Sequence, residues 1–303
     1  VIGLGIVAAV GASLLYNTSI AFQALEARQV PGEHSLRPSL IGRLVRNRRW
    51  LGATALGLIG WPLEIVALLL APLTVVQPCL ASGLILLLWL GATRLGEAPG
   101  VREWVAVAAI VIGVAGVAWA APERTTDHAS TGAIAISLIF VAIPLAAPYA
   151  LALRTRFRYS PHQGGVNVGW AGGIGTLMVI SAGCGYAWTA IASKLLTDEL
   201  ASGALLVALA WLATAAASEG LALLSEMSAL QHRPATRVAP VMFAVQVLLP
   251  VLLAPLIFGE SWSSTPLGGV ALVAFIAVAV AGTSLLAGSK AVGALIETAR
   301  ERT

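Results

Sequence analysis

Glu64 to Pro78, EIVALLLAPLTVVQP, and Glu226 to Pro240, EMSALQHRPATRVAP, share one frame: Glu, seven residues, Pro, five residues, Pro. The agreement extends outward on both sides. Each block is followed by a Gly-Glu pair, Gly96-Glu97 and Gly259-Glu260, and preceded by a Trp-Leu pair, Trp50-Leu51 and Trp211-Leu212. Further upstream, Tyr16 through Gln23 loosely matches Tyr186 through Ser193. Chance supplies a proline pair or a Gly-Glu, but hardly all of them in register. The chain therefore reads as one helix plus three, occurring twice.

Composition says where those helices sit. Of 303 residues 58% are hydrophobic and 11% charged, against about 25% charged in an ordinary soluble domain. Mean hydropathy is +0.88. The apolar residues fall in runs of about 20 or more, the length that crosses a hydrocarbon core of about 30 Å at 1.5 Å per residue. Nine spans are expected at about 1–25, 50–70, 73–93, 102–121, 131–153, 171–193, 203–230, 238–258 and 265–288. The first lacks a basic leader and is longer than a signal-peptide core, so it counts as a span. Pro72 should make a tight hairpin between the second and third spans, and Pro234 and Pro240 should bracket the seventh junction.

Charge placement orients the spans. Arg28, Arg37, Arg43, Arg46, Arg48, Arg49, Arg94, Arg102, Arg154, Arg156, Arg158, Arg233, Arg237, Lys290, Arg300 and Arg302 fall on one side, which is 16 of the 18 basic residues. Only Arg124 and Lys194 fall on the other. Short cytoplasmic loops collect Lys and Arg, so the N-terminus is expected outside, the C-terminus in the cytoplasm and the chain in a bacterial-type plasma membrane. The net charge of +4 is spread between apolar runs and forms no basic face, so nucleic acid is not an expected partner. Pro38 to Trp50 sets Leu40, Ile41, Leu44 and Val45 against Arg43, Arg46 and Arg48. That pattern suits an amphipathic helix in the membrane interface, or a solvated basic connector that fixes topology.

The two copies are offset by five spans, an odd number, so the second enters the membrane from the opposite side. A pseudo-twofold axis in the membrane plane should relate them, with substrate bound near the midplane between the repeats. The expected architecture is all-α: a first repeat over 1–121 including the basic loop 26–49, a linking span and basic loop over 122–163, an inverted repeat over 164–290, and a tail over 291–303. The string from Leu70 to Pro78, the Gly-Glu closing each third repeat helix, and the following helix with Gly113 and Gly116 resemble the drug/metabolite transporter superfamily, including EamA-type carriers. Within it, the Ala-Pro-Leu-x-x-Val-Gln-Pro element and the nine-span layout are most similar to NIPA-type magnesium transporters. That resemblance implies transport of Mg²⁺ or of a metabolite or drug. It also implies an amide where this chain has Glu64 and Glu226.

Of fourteen acidic residues, eleven fall in loops, tails or span ends, where solvation suffices. Glu64, Glu219 and Glu226 do not. A charge at the bilayer centre costs at least about 2.5–3.5 kcal/mol, so such residues normally face an interior cavity. No Lys or Arg falls in a span interior, so each carboxylate must be protonated, hydrated or bound to a cation. Glu219, near the middle of the seventh span, is expected to be the principal site carboxylate, with Gly57 at its matching position. Glu219 and Glu226, seven residues apart, share one helical face. Snorkelling, or a bond to the helix end opened by the following Pro, is the structural alternative. Tyr16, Asn17, Gln23, Gln77, Tyr186 and Gln246 are further candidates for the cavity lining, though amides and phenols also simply join helices. A Mg²⁺ ion would draw on Glu219, Glu226 and Glu64.

Other motifs carry no chemistry. Gly172-Gly173-Ile174-Gly175 lacks the Lys-Ser/Thr of a phosphate loop. His34, His128, His162 and His232 all sit in connections, and Cys79 and Cys184 are isolated packing thiols. Glu97 and Glu260 read as turn and helix-start residues. No cofactor and no enzymatic activity are expected. The leading function is a secondary transporter of a cation or cationic small solute by alternating access. A flippase for a lipid-linked or polyprenyl-phosphate-linked sugar would call for basic cavity residues, and a non-transporting assembly subunit would leave the glutamates unexplained. Expected partners are membrane lipids and a small cation or small-molecule substrate; a homodimer is an open alternative.

Overall fold

The computed structural model describes residues 2–71, 73–120, 131–156, 168–258, 262 and 265–287. Those residues are helical throughout, apart from short connections, and contain no strand. In chain order the helices are α1 (Ile2–Ala27), α2 (Pro38–Leu44), α3 (Arg48–Leu70), α4 (Leu73–Arg94), α5 (Val101–Ala120), α6 (Thr131–Arg156), α7 (Val168–Ser202), α8 (Leu205–His232), α9 (Ala235–Phe258) and α10 (Val270–Ala287). Among the described residues α1, α3 and α5 to α10 are long and apolar enough to cross a membrane, which makes eight. In α4 the described apolar stretch is the shorter Cys79–Arg94. Side chains such as Leu58, Trp61, Leu69, Phe140, Ile143 and Leu206 stand exposed on the outside of the bundle. In water that would be costly, whereas lipid is their natural solvent.

The C-terminal ends of α1, α4 and α8 and the N-terminal ends of α3, α5 and α9 gather at one end of the bundle, joined by the bonds described below. We refer to it as the basic end. In the first half α1 packs chiefly on α3 and then on α4; in the second, α7 packs chiefly on α8 and then on α9. The halves meet where α5 lies against α10. A Cβ at Gly113 would run into Ala279, and one at Gly116 into the Phe275 ring, so these glycines set how closely α5 and α10 approach. Small residues serve that purpose in membrane bundles, where apolar packing against lipid gives no other drive to associate.

Several expectations need correction. The seventh junction is only Arg233 and Pro234 wide, and Pro240 lies inside α9 rather than beside the junction. The bond its missing N–H forfeits is tolerable within a buried membrane helix. α7 runs on to Ser202 because nothing in residues 194–202 breaks a helix; the turn comes at Gly203, φ 81. There the Gly203 N–H bonds to the Leu200 carbonyl at 3.2 Å and the Ala204 N–H to the Glu199 carbonyl at 3.0 Å, a Schellman closure. α10 starts at Val270, after a 3₁₀ turn over Pro266–Gly269. α2 turns one face into the protein, where Leu40 and Leu44 are buried in the core, and just before it the Leu36 N–H donates to Ser228 of α8 at 2.9 Å. His232 belongs to the last turn of α8. Ala71 is extended, as the residue before a proline should be; Pro72, Arg124, His128, Arg158, His162, Glu260, Lys290, Arg300 and Arg302 lie outside the described residues.

Candidate functional site

Two tyrosine–glutamate pairs occupy matching places. On α1, Tyr16 donates its hydroxyl to Glu64 of α3 at 2.6 Å. On α7, Tyr186 donates its hydroxyl to Glu226 of α8 at 2.5 Å. Glu64 stands six residues before the end of α3 and Glu226 six residues before the end of α8. Local sequence makes room for each bond. A Cβ at Gly60, one turn before Glu64, would strike the Tyr16 ring, and one at Gly185, beside Tyr186, would strike Ala222 of α8.

The pairs differ in exposure. Glu226 is only 4% exposed, whereas Glu64 is half-buried. Neither forms an ion pair among the described residues. Next to Glu226, Ser225 bonds to Ser181 of α7 at 2.9 Å and to Tyr149 of α6 at 2.8 Å, which fixes this turn of α8 from two sides. Tyr149, Ser181 and Ser225 are not among the residues expected from sequence, since isolated hydroxyls in apolar runs carry no spacing signal.

Glu219 is exposed, in contrast to Glu226. Its neighbour Ser218 points inward and donates to the Gly185 carbonyl at 2.8 Å, which rotates residue 219 away from that contact. Position along a helix gives depth in the membrane, but burial depends on azimuth. Its carboxylate lies beside Thr189 of α7, one turn from Tyr186. Among the described residues no three His, Cys, Asp or Glu side chains stand close enough to hold a metal ion, so the three glutamates do not converge here.

The amide candidates are mostly occupied. Asn17 is buried and donates to the Ser13 carbonyl at 2.9 Å, while Ser13 donates to the Leu80 carbonyl at 2.6 Å, tying α1 to α4. Gln23 donates to Thr54 at 3.0 Å. Gln246 is half-buried on α9, and the Gln77 side chain lies outside the described residues.

The basic end holds carboxylates whose role solvation does not explain. Glu97, its side chain 6% exposed, pairs with Arg28. It also accepts from the Ala235 N–H at 2.7 Å, the Thr236 N–H at 3.0 Å and the Thr236 hydroxyl at 2.5 Å. These two N–H groups open α9, and Pro234 before them has no side chain able to cap a helix. Gly96, φ 65, turns the chain out of α4, and the Glu97 N–H bonds back to the Gly91 carbonyl at 2.9 Å, which aims its side chain at α9. Glu103 of α5 takes two bonds from Arg237 of α9, at 2.6 and 3.1 Å. Glu26 is buried and accepts from Asn47 at 2.5 Å, while Asn47 caps α3 by accepting from the Arg49 N–H. The repeated Gly-Glu was a visible signal for Glu97; its partner, 138 residues away, was not. No protein-family model matches the chain, and neither curated proteins nor solved structures provide a match.

Proposed function

We propose that the chain is a secondary transporter that moves a cation or cationic small solute by alternating access, with α4 as a ninth span. In this reading α1 and α3 to α5 form one repeat, α7 to α10 form its inverted copy and α6 connects them. The opposed helix directions support it: α1 and α4 end at the basic end, while α9 starts there, in the way an in-plane twofold axis requires. The basic end is the cytoplasmic one under the positive-inside rule. The resemblance to the drug/metabolite transporter superfamily agrees with this plan.

The observation that carries the proposal is the equivalent pair of bonds, Tyr16 to Glu64 and Tyr186 to Glu226, each set in an apolar span without an ion-pair partner among the described residues. Burying the charge costs at least about 2.5–3.5 kcal/mol, and one charge-assisted hydrogen bond returns about 1.5–3. The bond offsets most of that cost, so each carboxylate can be held in its span without a basic partner and kept for a proton or cation. Because the three glutamates do not converge, we favour proton-coupled exchange of an organic cation over a three-carboxylate magnesium site.

The test is flux into proteoliposomes, with proton movement and Mg²⁺ entry followed in the same vesicles. Cation uptake that moves protons, and is lost in Glu226→Gln, is the expected outcome. Uptake unchanged with Glu64, Glu219 and Glu226 all replaced by Gln would overturn the proposal.

A further inference from the structure

Glu97 closes the N-terminus of a helix that belongs to the other half of the molecule. A carboxylate capping its own helix keeps its bonds in every conformation. One that caps a helix of the opposite half must release them whenever the halves separate at that point. The bonds around it fit a closed seam. Among the described residues, the hydrogen bonds joining the first half to the second cluster at the basic end: Glu97 to Ala235 and Thr236, Arg237 to Glu103, Gln231 to the Val30 carbonyl at 3.0 Å, and Leu36 to Ser228. Away from this seam Glu219 is exposed and Glu64 half-buried, while Glu226, six residues from the basic end of α8, is sealed.

From this asymmetry we infer that Glu97 is the latch of a gate at the basic end, and that the structure is the state closed there. The inference rests on the alternating-access reading. The latch is built for release. Its counter-charge, Arg28, lies in the same half as Glu97, so release of this carboxylate does not strand it. What is given up is one hydroxyl bond and two backbone bonds at α9, whose N–H groups water then satisfies, and the long bond from Arg28 to the Arg233 carbonyl at 3.5 Å. Thr236 seats over Gly91, where any Cβ would collide with it, so α9 can return to only one register. The Glu103–Arg237 pair splits in the same movement and acts as a second fastening, its two charges passing to water.

The experiment reads accessibility, and no substrate is required. In a background with Cys79 and Cys184 replaced by Ala, Thr176→Cys reports from the crevice at the basic end, beside Arg233 and Arg237. Thr189→Cys reports from beside Glu219. A membrane-impermeant maleimide is applied from each side of oriented vesicles. Glu97→Gln should raise labelling at position 176 from the basic side and lower it at position 189 from the other, each about tenfold, the shift expected when a charge-assisted bond is lost from a two-state equilibrium. Thr236→Val, which removes only the hydroxyl bond, should do the same more weakly and serves if Glu97→Gln does not fold. Labelling that rises at both positions, or changes at neither, would show that Glu97 merely caps a helix. Reciprocal labelling without any flux would sink the transport reading and leave the latch standing; normal flux with unchanged labelling would sink the latch alone.

Discussion

Tyr186 and Glu226 meet across the α7–α8 interface with the phenol donating to the carboxylate at 2.5 Å, and the carboxylate is almost wholly removed from the surface. Tyr186→Phe keeps the ring and deletes the bond. It should leave the fold intact and cut uptake at least about tenfold, since a bond to a buried charged group is worth about 1.5–3 kcal/mol. Glu226→Gln should abolish proton movement and flatten the dependence of any residual uptake on pH. Retention of wild-type uptake in both variants would assign the pair a purely structural role.

Tyr16 and Glu64 form the matching bond at 2.6 Å but are less enclosed. Water can replace part of what the phenol supplies, so Tyr16→Phe should cost less than Tyr186→Phe in the same assay, about threefold against tenfold. An equal or larger loss would mean that exposure in this state does not rank the two sites.

Glu219 is exposed beside Thr189. Glu219→Gln should therefore fold normally and raise KM for a cationic substrate, with kcat changed less, because an exposed carboxylate attracts substrate without being the sealed group. A collapse of kcat at unchanged KM would return Glu219 to the central role that its position in the span suggested.

The spans were readable because lipid admits few solutions: about 20 apolar residues per crossing, with basic residues in the connections on one side. The matching Tyr and Glu positions were readable for a similar reason, since the two sequence blocks share one spacing. Azimuth was not. Whether Glu219 or Ser218 faces α7 depends on a rotation of about 100° per residue, set by the approach of Ala222 to Gly185, and an apolar run on all sides of α8 does not encode it. Partners distant in sequence were equally hidden. Glu97 in its turn and Glu103 at its span end carry no sign in sequence of the α9 groups that bond to them, and the pattern of Leu40 and Leu44 does not show that they pack into the core.

The α5–α10 contact offers a stability test separate from transport. Gly116→Ala places a Cβ inside the Phe275 ring, and Gly113→Ala places one on Ala279. Overpacking costs about 1–3 kcal/mol, so either variant should melt several degrees lower in detergent, and Phe275→Ala should partly restore Gly116→Ala by opening the space. Unaltered melting in Gly116→Ala would mean that α5 and α10 do not approach this closely.

Glu103 and Arg237 are joined by two hydrogen bonds across the halves, with side chains 8% and 28% exposed. Their mutual worth can be separated from the cost of orphaning either one. Arg237→Gln leaves a nearly buried carboxylate facing a neutral amide, and Glu103→Gln leaves a guanidinium that still reaches water. The first should destabilise more, by about 2–3 kcal/mol against about 1, because the penalty falls on whichever charge remains buried. Replacing both by Gln removes the pair without stranding a charge and should lose less than the sum of the two single changes. A double-mutant cycle on melting in detergent, run at low and high salt, measures that difference. Strict additivity would show that the two side chains do not interact, and a coupling lost at high salt would place the pair in free contact with solvent rather than in the closed seam.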